Sequence, residues 1–310
     1  MNRPMKDNAT ACSTQWDALP AWGTATQTRF WVAVEQSGPW GRDALTESHL
    51  DPDLGARLGA AASEAGGRVL LIRAPGRHAD ASFQSRRVFV AGGLAGRPWL
   101  LTGVALDPAA LADLPWGDLA AGGPDAVLAA CGWLKPSHAP VLLVCANSRR
   151  DVCCALKGRP VALALAAERP GQVWECSHTG GHRFAPTGIV LPLGQMLARL
   201  DADLATHVLD AAASGAFAVG TLSERHDRGV SHLPPAHQAA VSWVRAHEGE
   251  TDPAVLTVLG GADALTVQHV DGRTWDLAAT RQEGAALPES CGKAAKPAVT
   301  WTVTPTGVTG

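Results

Sequence analysis

Apolar residues fall along this chain in short blocks, separated by glycine, proline and charged residues. Phe30-Trp31-Val32-Ala33-Val34-Glu35 and Val69-Leu70-Leu71-Ile72 are too short for buried helices and too uniformly apolar for half-exposed strands. They read as strands buried on both faces. Between them, 51–65 carries helical spacing and is stopped by Gly66-Gly67. Residues 87–91 and 99–102 read as two further strands, and 108–119 and 124–131 as helices. The pattern then restarts. Pro140 to Val144 is a strand running into Cys145, and Asp151 caps a helical turn bearing Cys153 and Cys154. Gly158 interrupts that turn, and Pro160 opens a helix to Glu168. Val173 to Cys176 and Gly188 to Pro192 are strands, 195–213 is a long amphipathic helix, and 234–247 is another. Residues 267–270, 274–278 and 299–303 read as strands.

The restart has the character of a worn duplication. Val69-Leu70-Leu71-Ile72-Arg73-Ala74-Pro75-Gly76-Arg77-His78 lines up with Val173 to His182. Val32-Ala33-Val34-Glu35 likewise lines up with Leu142-Leu143-Val144-Cys145. On this alignment Glu35 stands where the second copy has Cys145, and His78 is the one histidine left of the pair His178 and His182.

Bulk numbers narrow the options. A chain of 310 residues with 46% hydrophobic content suggests one large or two ordinary globular domains. A net charge of −3 offers no basic field for nucleic acid. The run Val161 to Ala167 is far too short to span a membrane, and Met1 to Trp16 lacks the apolar core of a signal peptide. The expected location is therefore cytoplasmic, where the seven cysteines should be reduced thiols or metal ligands.

Candidate chemistry concentrates in two stretches. His178-Thr179-Gly180-Gly181-His182 spaces two imidazoles by four residues, with two poor helix formers between them. It reads as a loop whose bare backbone can approach something closely. Cys145 and Cys154 lie upstream. Two thiols and two imidazoles suit zinc or an iron–sulfur cluster, not magnesium or calcium. The wide cysteine spacing exceeds that of zinc fingers. Rieske centres also use two Cys and two His, but their ligands alternate along the chain, and here both cysteines come first.

Cys145-Ala-Asn-Ser-Arg-Arg-Asp151-Val-Cys-Cys154, then Trp174-Glu-Cys-Ser-His178-Thr-Gly-Gly-His182-Arg-Phe-Ala, resembles the sucrase/ferredoxin-like family. Gly23-Thr24-Ala25, Gly38 to Asp43 and Ser290-Cys291-Gly292-Lys293 extend the likeness along nearly the whole chain. The resemblance implies an α/β fold of two thioredoxin-like halves. The first, 1–135, would be degenerate; the second, 136–310, would be a thioredoxin-like ferredoxin domain with a C-terminal extension. It further implies a [2Fe–2S] cluster with Cys145 and Cys154 on one iron and His178 and His182 on the other. One-electron transfer with unknown donor and acceptor proteins would follow, with no nucleic acid or membrane partner. A cluster-based redox sensor and a zinc-stabilised structural domain are the alternatives. Asn147 departs from the histidine expected in many relatives.

The remaining residues are less telling. Cys153 is expected to point into helix packing, Cys176 to be core or to support the ligands, and Cys12 and Cys131 to have no partner motif. Arg149, Arg150 and Arg183 flank the ligand loops, where cations raise a cluster's potential. Ser290 to Lys293 superficially resembles a phosphate loop, but Leu287 stands where glycine is needed. Glycoside hydrolysis needs two opposed carboxylates. Asp43, Asp151 and Glu175 are available, and nothing in their spacing sets a pair apart.

Overall fold

The computed structural model describes residues 10–76, 85–120 and 122–307. Its centre is one mixed ten-stranded sheet: β1 (Trp31–Glu35), β2 (Arg68–Arg73), β3 (Arg86–Gly92), β4 (Trp99–Ala105), β5 (Leu134–Pro136), β6 (Val141–Cys145), β7 (Val173–Cys176), β8 (Gly188–Leu191), β9 (Gln195–Leu197) and β10 (Asp227–Val230). A separate antiparallel sheet follows: β11 (Leu256–Gly261), β12 (Ala264–His269), β13 (Thr274–Leu287) and β14 (Lys296–Pro305). The helices are α1 (Cys12–Gln15), α2 (Pro52–Glu64), α3 (Asp125–Ala130), α4 (Arg159–Ala166), α5 (Ala202–Ala213) and α6 (Pro235–Glu248).

The strand order β10-β9-β8-β6-β7-β2-β1-β3-β4-β5 contains one pattern twice. In the first half β1 pairs parallel with β2 on one side and antiparallel with β3 on the other, and β4 follows β3. In the second half β6 pairs parallel with β7 and antiparallel with β8, and β9 follows β8. α2 crosses between β1 and β2, as α4 does between β6 and β7. The registers also correspond. Val32 faces Val69 and Glu35 faces Ile72; Leu142 faces Val173 and Cys145 faces Cys176. The halves join where β2 runs antiparallel to β7, with Ile72 opposite Cys176 and Arg73 opposite Glu175. Since Ile72 and Cys176 are equivalent positions, an approximate two-fold axis passes between them.

Side chains alternate faces along these strands, so burial on both faces needs two apolar sets per strand. Val32, Val34, Val69 and Leu71 join a core under α2 with Leu54 and Leu58. Trp31, Ala33, Leu70 and Ile72 join Leu143, Cys145, Trp174, Cys176 and Ile189 on the opposite face, one core spanning both halves. Leu142, Val144 and Val190 pack under α4 and α5.

Most short apolar blocks form the strands expected of them. Two helix expectations do not hold. Residues 195–213 do not form one helix: 195–197 is β9, Arg199 takes a left-handed φ of 50°, and α5 starts after Asp201. The Asp201 carboxylate accepts from Leu204 N at 2.8 Å, an N-cap worth about 1 kcal/mol. The turn before it is held because the Arg199 guanidinium donates to the carbonyls of Trp16, Leu19 and Arg225. Residues 108–119 form only a 3-10 turn, Pro108–Asp113, because Pro115 lacks the N–H a continuing helix needs. In the small sheet β13 and β14 run well beyond the apolar cores that mark them.

Candidate metal centre

The functional loops leave the sheet at equivalent ends of β6 and β7. Beyond Cys145 the chain turns through Asn147, whose Nδ2 donates to Gly41 O at 2.9 Å and whose Oδ1 accepts from Arg149 N at 3.0 Å. Asn147 therefore ties the loop to the first half of the sheet. Asp151 caps the next turn, accepting from Cys153 N at 2.8 Å. A π-turn, Cys154–Gly158, runs straight into α4. Gly158 does not interrupt this helix, contrary to the sequence expectation. It keeps helical φ and ψ, and a Cβ there would collide with the Cys145 carbonyl. Glycine lets the turn lie flat on the end of β6, bringing Cys154 back to Cys145.

The histidine loop needs its glycines too. Gly181 has φ of 75°, a left-handed conformation that L side chains rarely adopt. A Cβ there would run into the guanidinium of Arg228. The loop then brings Cys145, Cys154 and His182 together, their ligand atoms all within 4.8 Å of one another. Cys154 Sγ lies 3.2 Å from His182 Nδ1. His178 stacks on His182, centroids 4.5 Å apart and planes 21° from parallel. The Cys145 thiol is under the influence of Cys154, His178 and His182. Both sulfurs are fully buried.

Electrostatics favour metal-ready protonation. The hydrogen bond from Cys154 holds the Cys145 thiol well below the usual range, helped by the two imidazoles and opposed by burial. The same bond, with burial, pushes Cys154 up, so the pair loses its first proton readily. Burial lowers His178, leaving the neutral imidazole that ligation requires. Arg228 was not anticipated from sequence. It is 1% exposed, on β10, and its charge acts on both Cys145 and Cys154. Its guanidinium donates to Gly180 O at 3.0 Å, to Thr24 Oγ1 at 3.2 Å and to the Thr24 carbonyl. No local motif marks it; only the pairing of β10 with β9 brings it here.

His178 borders a cleft of about 190 Å³ lined by Arg42, Arg68, Asn147, Arg150 and Ser177. Of the flanking arginines, Arg150 lies in this cleft and Arg149 beside Trp40 and Arg73. Arg183 instead packs on the rings of Trp16 and Phe184 and pairs with Glu289 at 3.3 Å. Cys176 is core, with no exposed surface. Cys153 corrects an expectation: it does not pack into the helix but meets Cys12 and Cys291, so Cys12 does have partners. The three carboxylates raised for hydrolysis are separately employed. Glu175 is buried against Arg73 at 2.8 Å, Asp151 holds its turn, and Asp43 lies on an exposed loop. His78 lies outside the described residues.

The chain belongs to the sucrase/ferredoxin-like family, whose model matches residues 21–225, well over half its length. No curated protein and no solved structure matches it. The match covers the first nine strands of the large sheet and the loops that carry Cys145, Cys154, His178 and His182, and stops before β10 and the small sheet. Among the described residues, no helix is long and apolar enough to cross a membrane.

Proposed function

We propose that the protein is a one-electron carrier built on a [2Fe–2S] cluster, with Cys145 and Cys154 holding one iron and His178 and His182 the other. The observation that carries this reading is the convergence of two buried thiols and the His182 imidazole on one point, with the His178 ring stacked on that of His182. That donor set is soft and borderline, and it suits iron–sulfur ligation. When bound, such a group supplies reversible one-electron chemistry.

The chain's own residues do the rest. Two neutral imidazoles in place of two thiolates leave less negative charge at the site, which favours gaining an electron, as in Rieske centres. Buried Arg228 adds a positive charge beside the thiolates. The enclosing core keeps water from the sulfurs. The histidine side opens on the cleft bearing Arg42, Arg68 and Arg150, which suits docking of an acidic redox partner. We read each half of the large sheet as thioredoxin-like, the first half (within 1–135) having lost its ligands and the second (within 136–310) having kept them.

One observation favours a second reading, a single zinc ion. The ligand atoms of Cys145, Cys154 and His182 lie within 4.8 Å of one another, a spacing one tetrahedral ion accepts. Acid-labile sulfide separates the two. Anaerobically purified full-length protein should contain about two irons and two sulfides per chain, as the cluster formula requires. Protein free of sulfide would overturn the cluster reading and leave zinc.

A further inference from the structure

A second group of ligand-type side chains stands behind the first. Cys12 from α1, Cys153 from the turn before the π-turn, and Cys291 from the β13–β14 connection bring their sulfurs together. Cys12 Sγ lies 3.6 Å from both Cys153 Sγ and Cys291 Sγ, and Cys153 and Cys291 are 3.1 Å apart. Asp151 completes the group, with Oδ2 3.8 Å and Oδ1 4.0 Å from Cys12 Sγ. Cys12, Cys153 and Asp151 are buried and Cys291 is half-buried. Cys153 and Cys154 are neighbours in sequence but face opposite ways, one into each group.

We propose that Cys12, Cys153, Cys291 and Asp151 form a second metal site, for a single zinc ion, independent of the first. The distances decide between the alternatives. A disulfide needs sulfurs about 2.05 Å apart, and the closest pair is 3.1 Å apart with a third thiol 3.6 Å from each member. A multi-iron cluster would spread three thiolates over more than one iron, further apart than these three sulfurs are. A tetrahedral zinc ion with bonds of about 2.3 Å sets its sulfurs about 3.8 Å apart, close to two of the three separations here. Three thiols and a carboxylate are also a costly group to bury together without a cation.

The carboxylate is held as ligands usually are. Asp151 Oδ1 accepts from Cys153 N at 2.8 Å, and Oδ2 accepts from Ser290 Oγ at 2.7 Å and Cys291 N at 2.8 Å. Such outer hydrogen bonds aim a ligand and fix its charge. The topology suggests what the site is for. Cys12 precedes and Cys291 follows the family match, while Cys153 lies inside it. A zinc ion here would clamp the N-terminal segment and the small sheet onto the loop that carries Cys154. A short apolar cluster of Cys12, Cys153 and Ala185 packs at the same place.

The test is metal content of full-length protein purified anaerobically without added metal. Wild-type protein should hold about one zinc per chain beyond whatever metal the first site carries, as one tetrahedral site requires. Cys12→Ser and Cys291→Ser should each lose that zinc while keeping the absorption spectrum and metal of the first site. Cys145→Ser should do the reverse. Should the serine variants not fold, wild-type protein decides: Cys12, Cys153 and Cys291 should resist alkylation until a zinc chelator is added, then react together. Wild-type protein without this zinc, zinc unchanged in both serine variants, or thiols that alkylate equally with and without chelator would overturn the proposal.

Discussion

The two halves of the large sheet share strand order, register and crossover helix, yet among the described residues only the second brings cysteines and histidine together as a metal would need. The difference comes down to few positions. At the end of β1, Glu35 accepts from Arg87 N at 3.0 Å and so braces the neighbouring strand. At the equivalent end of β6, Cys145 faces Cys154 and two imidazoles. After β1 the chain wanders from Gln36 to Leu50 before α2 begins, and Arg73 stacks on Trp40 there. After β6 it turns back at once, because Gly158 lets the π-turn touch the strand end. A repeated backbone thus supplies two loop pairs, and the side chains decide which becomes a site. This places function in grafted residues rather than in the fold.

Replacing the residue that most separates the halves should have the largest effect. Cys145→Ser should abolish iron loading, measured as iron per chain, because thiolate is the strong ligand of the set. The equivalent change in the first half, Glu35→Gln, should leave iron content unchanged. Equal iron loss in both variants would mean that the halves depend on one another and that the comparison is wrong.

The next largest effect lies on the seam. Arg73 and Glu175 pair at 2.8 Å with side chains 5% and 1% exposed, across the junction of β2 and β7. Removing one partner of such a buried pair strands the other charge, at about 3–5 kcal/mol. Glu175→Ala should lower unfolding stability by that amount in urea titration. Replacing both partners with apolar residues of similar size should recover most of it. If the single variant costs under about 1 kcal/mol, a typical surface-pair value, the seam is not held this way.

Much of this was legible in the sequence, for identifiable reasons. Uniformly apolar blocks can only be strands buried on both faces, so the large sheet's main strands and the repeat could be read directly. Cys145, Cys154, His178 and His182 stood out because donor types recur with glycine between them. What could not be read depends on contacts remote in sequence. β10 is too short and polar to signal itself, so Arg228 was invisible. Cys12 and Cys291 lie 279 residues apart, and neither has a local motif. Residues 195–213 mimic one helix because the apolar residues of β9 and of α5 fall into helical phase across the Asp201 cap that divides them.

Acid should act on the second half's outer edge. His232 follows β10, and burial, with the charge of Arg245, pulls its pKa down to about 4. In the unfolded chain a histidine titrates near 6.5. Between those values the unfolded chain holds a proton that the folded one refuses, so stability is complete above about pH 6.5 and falls as pH drops toward 4. Allowing for partial exposure, the loss is on the order of 2–3 kcal/mol. Wild-type protein and His232→Gln, unfolded in urea at neutral and acid pH, should differ in slope, the variant losing less. Parallel slopes would remove His232 from the account.

The smallest effect is the most specific to the site. Arg228 is a cation buried beside Cys145 and Cys154, whereas the guanidinium at Glu35, that of Arg86, is only part-buried and donates to the Glu35 carbonyl. A guanidinium keeps its charge at neutral pH, so its field is permanent, and in a dry core that field is weakly screened. It favours whichever redox state of the site is more negative, the reduced one. Arg228→Gln should therefore lower the reduction potential, on the order of 59 mV, the one-electron equivalent of a tenfold change in equilibrium. Arg228→Lys keeps the charge and should restore most of the difference, although a lysine cannot reproduce the fork that binds Gly180 O and the Thr24 carbonyl. Iron content should stay at the wild-type level in both variants, which separates tuning from loss of the site. Protein-film voltammetry reads the shift. A glutamine variant at the wild-type potential, with full iron, would mean that the site is screened from this charge and that the contrast between the halves rests on the ligands alone.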